Sequence, residues 1–329
     1  MVNRIAWLSV LRGLNIALIV MFHVQLVDFS TGMNHPFCEM ISSPFTPLRV
    51  PLFIFISGGL LYLSRIQKGW SVGRLYLDKA QRILIPFVFF VTFYYVFKLS
   101  LGAFVKTPIH ASVTDYLESF VVFEGHASAP LWFLATLTVL MMLYPLFQWL
   151  CEKSWRMMVF FLLSGAFYFA DYSSFVERNY FYLFKLNRYL VFFFVGIFFF
   201  KYQIHRYLDR IVLFLFLVMC YVLSYWQDVP LLTPLLGILM MCSGCLLVAR
   251  RLPGLFSSFS EYIFQIYLMS MIFQAFVELI LWKRLFYNET LFPFFYILNV
   301  AAGIFLPVLV AKVMERCPWR WLRLCFGLK

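Results

Sequence analysis

Charge is what this sequence has least of. Only 13% of its 329 residues are Asp, Glu, Lys or Arg, against roughly 25% in a soluble domain, and that shortfall excludes a soluble reading. No low-complexity tail or Gly/Ser linker interrupts the apolar pattern, and no internal repeat stands out. A single membrane domain over residues 1–329 is therefore expected, with no appended soluble domain. Cysteine is also sparse: of seven, only Cys38 falls in a segment expected outside both membrane and cytosol, so a disulfide framework is not expected. Cys242 and Cys245 form a C-x-x-C inside an apolar run, where small polarizable packing groups are a better reading than a zinc or redox site. H-E-x-x-H, paired carboxylates, G-x-S-x-G and a P-loop are all missing, and no His/Cys/Asp set has metal spacing, so no metal site is expected.

What is there is hydrocarbon: 63% hydrophobic and 21% aromatic residues, with a mean hydropathy of +0.85. A spanning helix needs about 20 apolar residues. Charged punctuation divides the chain into ten such runs, at 5–28, 50–66, 83–104, 130–150, 156–172, 187–203, 211–228, 231–249, 262–282 and 290–312. The expected fold is therefore all-α and polytopic. With the amino terminus in the cytosol, 19 of the 27 Lys and Arg residues fall on the cytosolic side. The positive-inside rule thus selects both termini cytosolic, as an even helix count requires. The net charge of +12 then reflects orientation and contact with membrane lipids rather than a nucleic-acid surface. The first run carries Arg12 and His23 and lacks a small-residue cleavage site, so it is expected to remain as a helix rather than act as a cleaved signal.

That first run, "RGLNIALIVMFH" at residues 12–23, is the anomaly. Eleven residues at about 100° each bring His23 to within roughly 20° of Arg12 on a helix, about 16 Å further along. Arg12 then stands near the cytosolic interface and His23 near mid-membrane or slightly beyond. Snorkelling accounts for Arg12 alone, since its stem can lift the guanidinium to the headgroups. A cross-helix hydrogen bond is the structural reading of His23. The functional reading is that ionisable groups at depth mark pathways or chemistry, and imidazole is suited to moving a proton near neutral pH.

Arg12 and His23 at this spacing are followed by "VPLFIFISGGLLY" (50–62), "KAQRILIPF" (79–87), "LWFLATL" (131–137), "RYLVFFFVGIFF" (188–199) and "SEYIFQIYLMS" (260–270). In that order, the set resembles the acyltransferase-3 family of integral membrane O-acyltransferases over nearly the whole chain. The resemblance implies a ten-helix bundle that takes an acyl group, commonly acetyl, from cytosolic acyl-CoA and places it on a hydroxyl of an exported glycan or glycolipid. It also implies that Arg12 and His23 carry activity.

The remaining blocks each have two readings. Ser57, Gly58 and Gly59 permit close helix packing or line a substrate passage. Lys79 and Arg82, three apart at the cytosolic end of the third helix, serve topology or, with Arg12, bind coenzyme phosphates. The family has two arginines at that spacing, so Lys79 keeps the charge and loses the bidentate fork. Trp132 is an aromatic-belt residue or a contact for acyl group or acceptor, and Arg188 an interfacial anchor or a glycan contact. Glu124 and His126 lie in an expected outer loop that is either solvated or binds the acceptor. His35, His110 and His205 read as loop or interfacial residues. Two further departures from the family are Ser9, where an acidic residue usually precedes the arginine, and Ser270, where the ninth helix commonly has a histidine.

The expectation is a membrane O-acyltransferase, with acyl-CoA (acetyl-CoA in the commonest case) as donor, a glycan or glycolipid as acceptor and a bacterial cytoplasmic membrane as location. His23 is either a general base or an acyl acceptor in its own right. The rivals are a transporter or flippase for an anion or lipid-linked sugar and a non-catalytic membrane subunit.

Overall fold

The computed structural model describes residues 3–26, 34–102, 109, 111–172, 179–285 and 288–328. Among these the protein is helical, with one isolated bridge between Val122 and Tyr180. In chain order the α-helices are α1 (Asn3–Phe22), α2 (Pro36–Ser42), α3 (Thr46–Leu61), α4 (Val72–Lys79), α5 (Ile85–Leu101), α6 (Val113–Glu118), α7 (Trp132–Met142), α8 (Tyr144–Glu152), α9 (Ser154–Tyr168), α10 (Leu186–Lys201), α11 (Ile211–Trp226), α12 (Leu232–Arg251), α13 (Ile263–Phe276), α14 (Phe292–Glu315) and α15 (Arg320–Cys325).

Among the described residues each of the ten expected runs contains helix, but the elements are not ten uniform rods. Six helical stretches among the described residues are long and apolar enough to cross a membrane: Pro36–Ile66, Val72–Ser100, Leu183–Lys201, Leu232–Arg251, Ile263–Arg284 and Phe292–Glu315. The run expected at 130–150 is two helices, α7 and α8, bent by 48°. Pro145 in the first turn of α8 explains the break, because it has no N–H to continue the ladder from α7. Counted as one, that pair makes seven. Apolar stretches of α1 (Ala6–Phe22) and α11 are shorter, and α9 is 15 residues. The third run starts earlier than expected, at Val72, and a π-helical turn over Ala80–Leu84 joins α4 to α5.

The helices gather into two compact units. One comprises residues 1–59 and 199–312, the other 60–198 and 313–329, with the boundaries falling inside α3, α10 and α14. In the first, α1 packs on α12, α13 and α2, and α11 packs on α12. Its core includes Ile16 and Val20 of α1 against Phe259, Ile263, Ile266, Ile304 and Val308. Cys242 and Cys245 are buried on α12. The core of the second unit is aromatic: Phe147 of α8 meets Phe193 and Phe194 of α10, and Phe326 packs on Phe89 and Phe90 of α5.

Candidate functional site

In the first unit, α1 runs as regular α-helix to Phe22, and the His23 amide still reaches the Ile19 carbonyl at 3.3 Å and the Val20 carbonyl at 3.1 Å. The helical phase therefore carries through to His23. Arg12, Ile16, Ile19 and His23 occupy one stripe, and the two polar members are half-buried.

At the His23 end, the imidazole Nδ1 lies 2.7 Å from the Ile19 carbonyl oxygen, and the ring meets Phe22 edge-on at 5.7 Å. A carbonyl can only accept, so Nδ1 carries the proton, and in the neutral ring Nε2 holds the free lone pair. Arg49 of α3 is close enough to act electrostatically on His23, and its guanidinium covers the Phe22 ring. A small crevice of about 220 Å³ opens beside this turn, lined by Leu18, Phe22, Ile41, Phe45 and Arg49 among others; His23 is not one of its lining residues.

At the other end, Arg12 interacts electrostatically with Glu261, just before α13. An acidic group near enough to act on Arg12 is thus present, though not at Ser9 where the family pattern puts one. Gly13 makes the approach possible: a Cβ there would lie 2.4 Å from Cβ of Phe256, in the connection that leads to Glu261. Between the two ends, Asn15 is completely buried, and neither polar atom of its amide has a hydrogen-bond partner. Ser57, in the same unit, donates to the Phe53 carbonyl at 2.9 Å, so its proton is committed within α3. Gly59 faces the Phe200 ring, as close packing requires.

In the second unit, Lys79 ends α4 and Arg82 lies inside the π turn. They do different things. Arg82 Nε reaches back to Asp78 at 3.0 Å, and Asp78 also holds Arg65 at 2.9 Å. Lys79 instead borders an apolar groove of about 610 Å³, walled by Ile83, Leu84, Thr138 and Met141 among others. A second groove, of about 480 Å³, shares Leu84, Thr138 and Met142 with it and extends to Phe181. Three cations around one carboxylate leave the cluster net positive, and π turns of this kind are frequent at functional sites. Neither Asp78 nor the turn was anticipated.

Trp132, Glu124 and Arg188 also belong to the second unit, and the segment 179–189 links them. Trp132 packs on Tyr182 at 4.6 Å and on Tyr189 at 5.7 Å between ring centroids. Glu124 accepts from the Asn179 amide at 3.2 Å. Arg188, the neighbour of Tyr189, is exposed. Phe181 and Tyr182 both have positive φ, 51° and 60°, a conformation that bulky residues rarely adopt and that recurs at functional sites. His126 faces Glu118 at 3.7 Å, His35 caps α2 and His205 stacks on Trp7. His110 lies outside the described residues. Among the described residues no group of three or more His, Cys, Asp or Glu is placed to hold a metal ion.

No curated protein and no solved structure matches the chain. A family model does. The model described as an acyltransferase domain matches residues 5–312, a stretch that holds the α1 stripe, the Lys79 cluster and the Trp132 platform together, and the chain accordingly belongs to the acyltransferase-3 family and is an integral membrane acyltransferase.

Proposed function

We propose that the protein is an O-acyltransferase of a bacterial cytoplasmic membrane. It moves an acyl group, acetyl in the first instance, from cytosolic acyl-CoA to a hydroxyl of an exported or lipid-linked glycan, and ten crossings leave both termini cytosolic. The observation that supports this most directly is the His23 Nδ1 contact with the Ile19 carbonyl. It fixes the tautomer whose Nε2 can take a proton.

In this reading the anionic head of CoA is held by Lys79 and Arg82. The net charge of the Arg65, Lys79, Arg82 and Asp78 cluster supports it, and the groove beside Lys79 offers the pantetheine arm an apolar path. The Trp132, Tyr182 and Tyr189 rings give a sugar a face to stack on, with Glu124 and Arg188 as polar contacts. His23 Nε2 removes the proton of the acceptor hydroxyl as its oxygen attacks the thioester carbonyl. The C–S bond breaks, an ester C–O bond forms, and the imidazolium returns its proton to the departing thiolate.

Purified protein in liposomes, given radiolabelled acetyl-CoA and a glycan acceptor, tests the assignment. Label on the acceptor that disappears with His23→Ala, the fold being kept, is the expected result. Label transfer indifferent to His23 overturns the mechanism, and acceptor movement without acylation makes the protein a transporter.

A further inference from the structure

The carbonyls that end α1 serve more than His23. Val20 O accepts the His23 amide and also, at 2.9 Å, the side-chain Nε2 of Gln274 on α13. Asn299 of α14 in turn donates its amide to the Gln274 backbone carbonyl at 3.3 Å. Gln274 is 3% exposed and Asn299 is 0% exposed. Gly303, one turn beyond Asn299, keeps the helices this close: a Cβ there would stand 2.8 Å from Val20 Cγ1 and 3.0 Å from Gln274 Cδ. Two amides in an apolar core are costly, and the side-chain oxygens of both lack partners. Packing alone is met more cheaply by Leu or Met.

The geometry points to Gln274, braced by Asn299, as a positioning residue that holds the last turn of α1 so that the Ile19 carbonyl stays on His23 Nδ1. Val20 and Ile19 are adjacent members of the last turn of the ladder, where the single His23 amide is shared between their two carbonyls. Pinning the first from α13 fixes the direction of the second, and with it which nitrogen of His23 carries the proton. Gln274 touches no reacting atom in this scheme. Its catalytic consequence rests on the proposed role of His23 as base.

The test is the ring nitrogen spectrum of His23 in the full-length protein in lipid nanodiscs, labelled with ring-¹⁵N histidine. With five histidines in the chain, His23→Gln identifies the signal by its disappearance. Wild type is expected as the Nδ1–H tautomer. Gln274→Met is expected to give a mixture of tautomers and a kcat lower by tenfold or more, toward the ~100-fold that a 1 Å misplacement costs, with KM for acetyl-CoA unchanged. Gln274→Glu, which as a neutral acid still offers Val20 O a proton, is expected to restore both. Asn299→Leu provides the same reading through a milder change if Gln274→Met does not fold. A folded Gln274→Met or Asn299→Leu protein with the wild-type His23 spectrum overturns the inference. A changed spectrum in a protein whose transfer rate ignores His23→Gln supports the positioning role and rejects His23 as the base.

Discussion

At the scale of single residues, the proposed chemistry centres on a histidine one step past the end of its helix. A carbonyl 2.7 Å from Nδ1 makes the ring a base at its other nitrogen, and general-base catalysis is worth about 10²- to 10⁴-fold. His23→Gln keeps size and polarity without the base. It is expected to lower kcat by about that factor while leaving KM for acyl-CoA within a few-fold, read from initial rates. Lys79 is proposed to serve binding. Lys79→Ala is expected to raise KM for acyl-CoA about tenfold with kcat unchanged, the signature of lost uniform binding, whereas an unchanged KM removes Lys79 from the donor site. The helical stripe of Arg12 and His23 was legible because eleven residues on an unbroken helix leave little freedom of phase. The charged neighbours were not: Glu261 acts electrostatically on Arg12 and Arg49 on His23 across sequence separations that no local pattern encodes. Asp78 stood beside Lys79 in plain view, but a topology argument counts only Lys and Arg.

At the scale of elements, interruptions place the chemistry. The π turn over Ala80–Leu84 parts Lys79 from Arg82, and α14 closes on α1 through Gly303. Gly303→Ala is expected to cost about 1–3 kcal/mol through overpacking against Val20 and Gln274, read as a lower melting temperature in detergent; an unchanged melting temperature contradicts the close approach. The all-helical, membrane-spanning character was legible from hydropathy because bilayer thickness sets a length, and six helical stretches among the described residues meet it. The π turns were not, since nothing in "AQRIL" separates such a turn from ordinary helix. The break between α7 and α8 was available in Pro145, yet an unbroken apolar run reads as one span. Trp132 was visible as an aromatic at a helix start, while Tyr182 and Tyr189, its partners some fifty residues on, were submerged in a Phe- and Tyr-rich background.

At the scale of the whole molecule, the proposed topology follows from sparse charge assigned mainly to the cytosolic side. Reporter fusions after Lys329 are expected to be active only in the cytosolic form, and an external carboxyl terminus contradicts the ten-crossing topology. In the proposed function the same polarity gives α1 its direction, with Arg12 toward the cytosolic donor and His23 toward the acceptor. The most direct measurement of that claim is single-turnover transfer from preloaded, labelled acetyl-CoA in proteoliposomes of one orientation, wild type beside His23→Gln. Donor binding alike in both proteins, with labelled glycan formed only by wild type, is the predicted result. Equal product formation by the His23→Gln protein contradicts it.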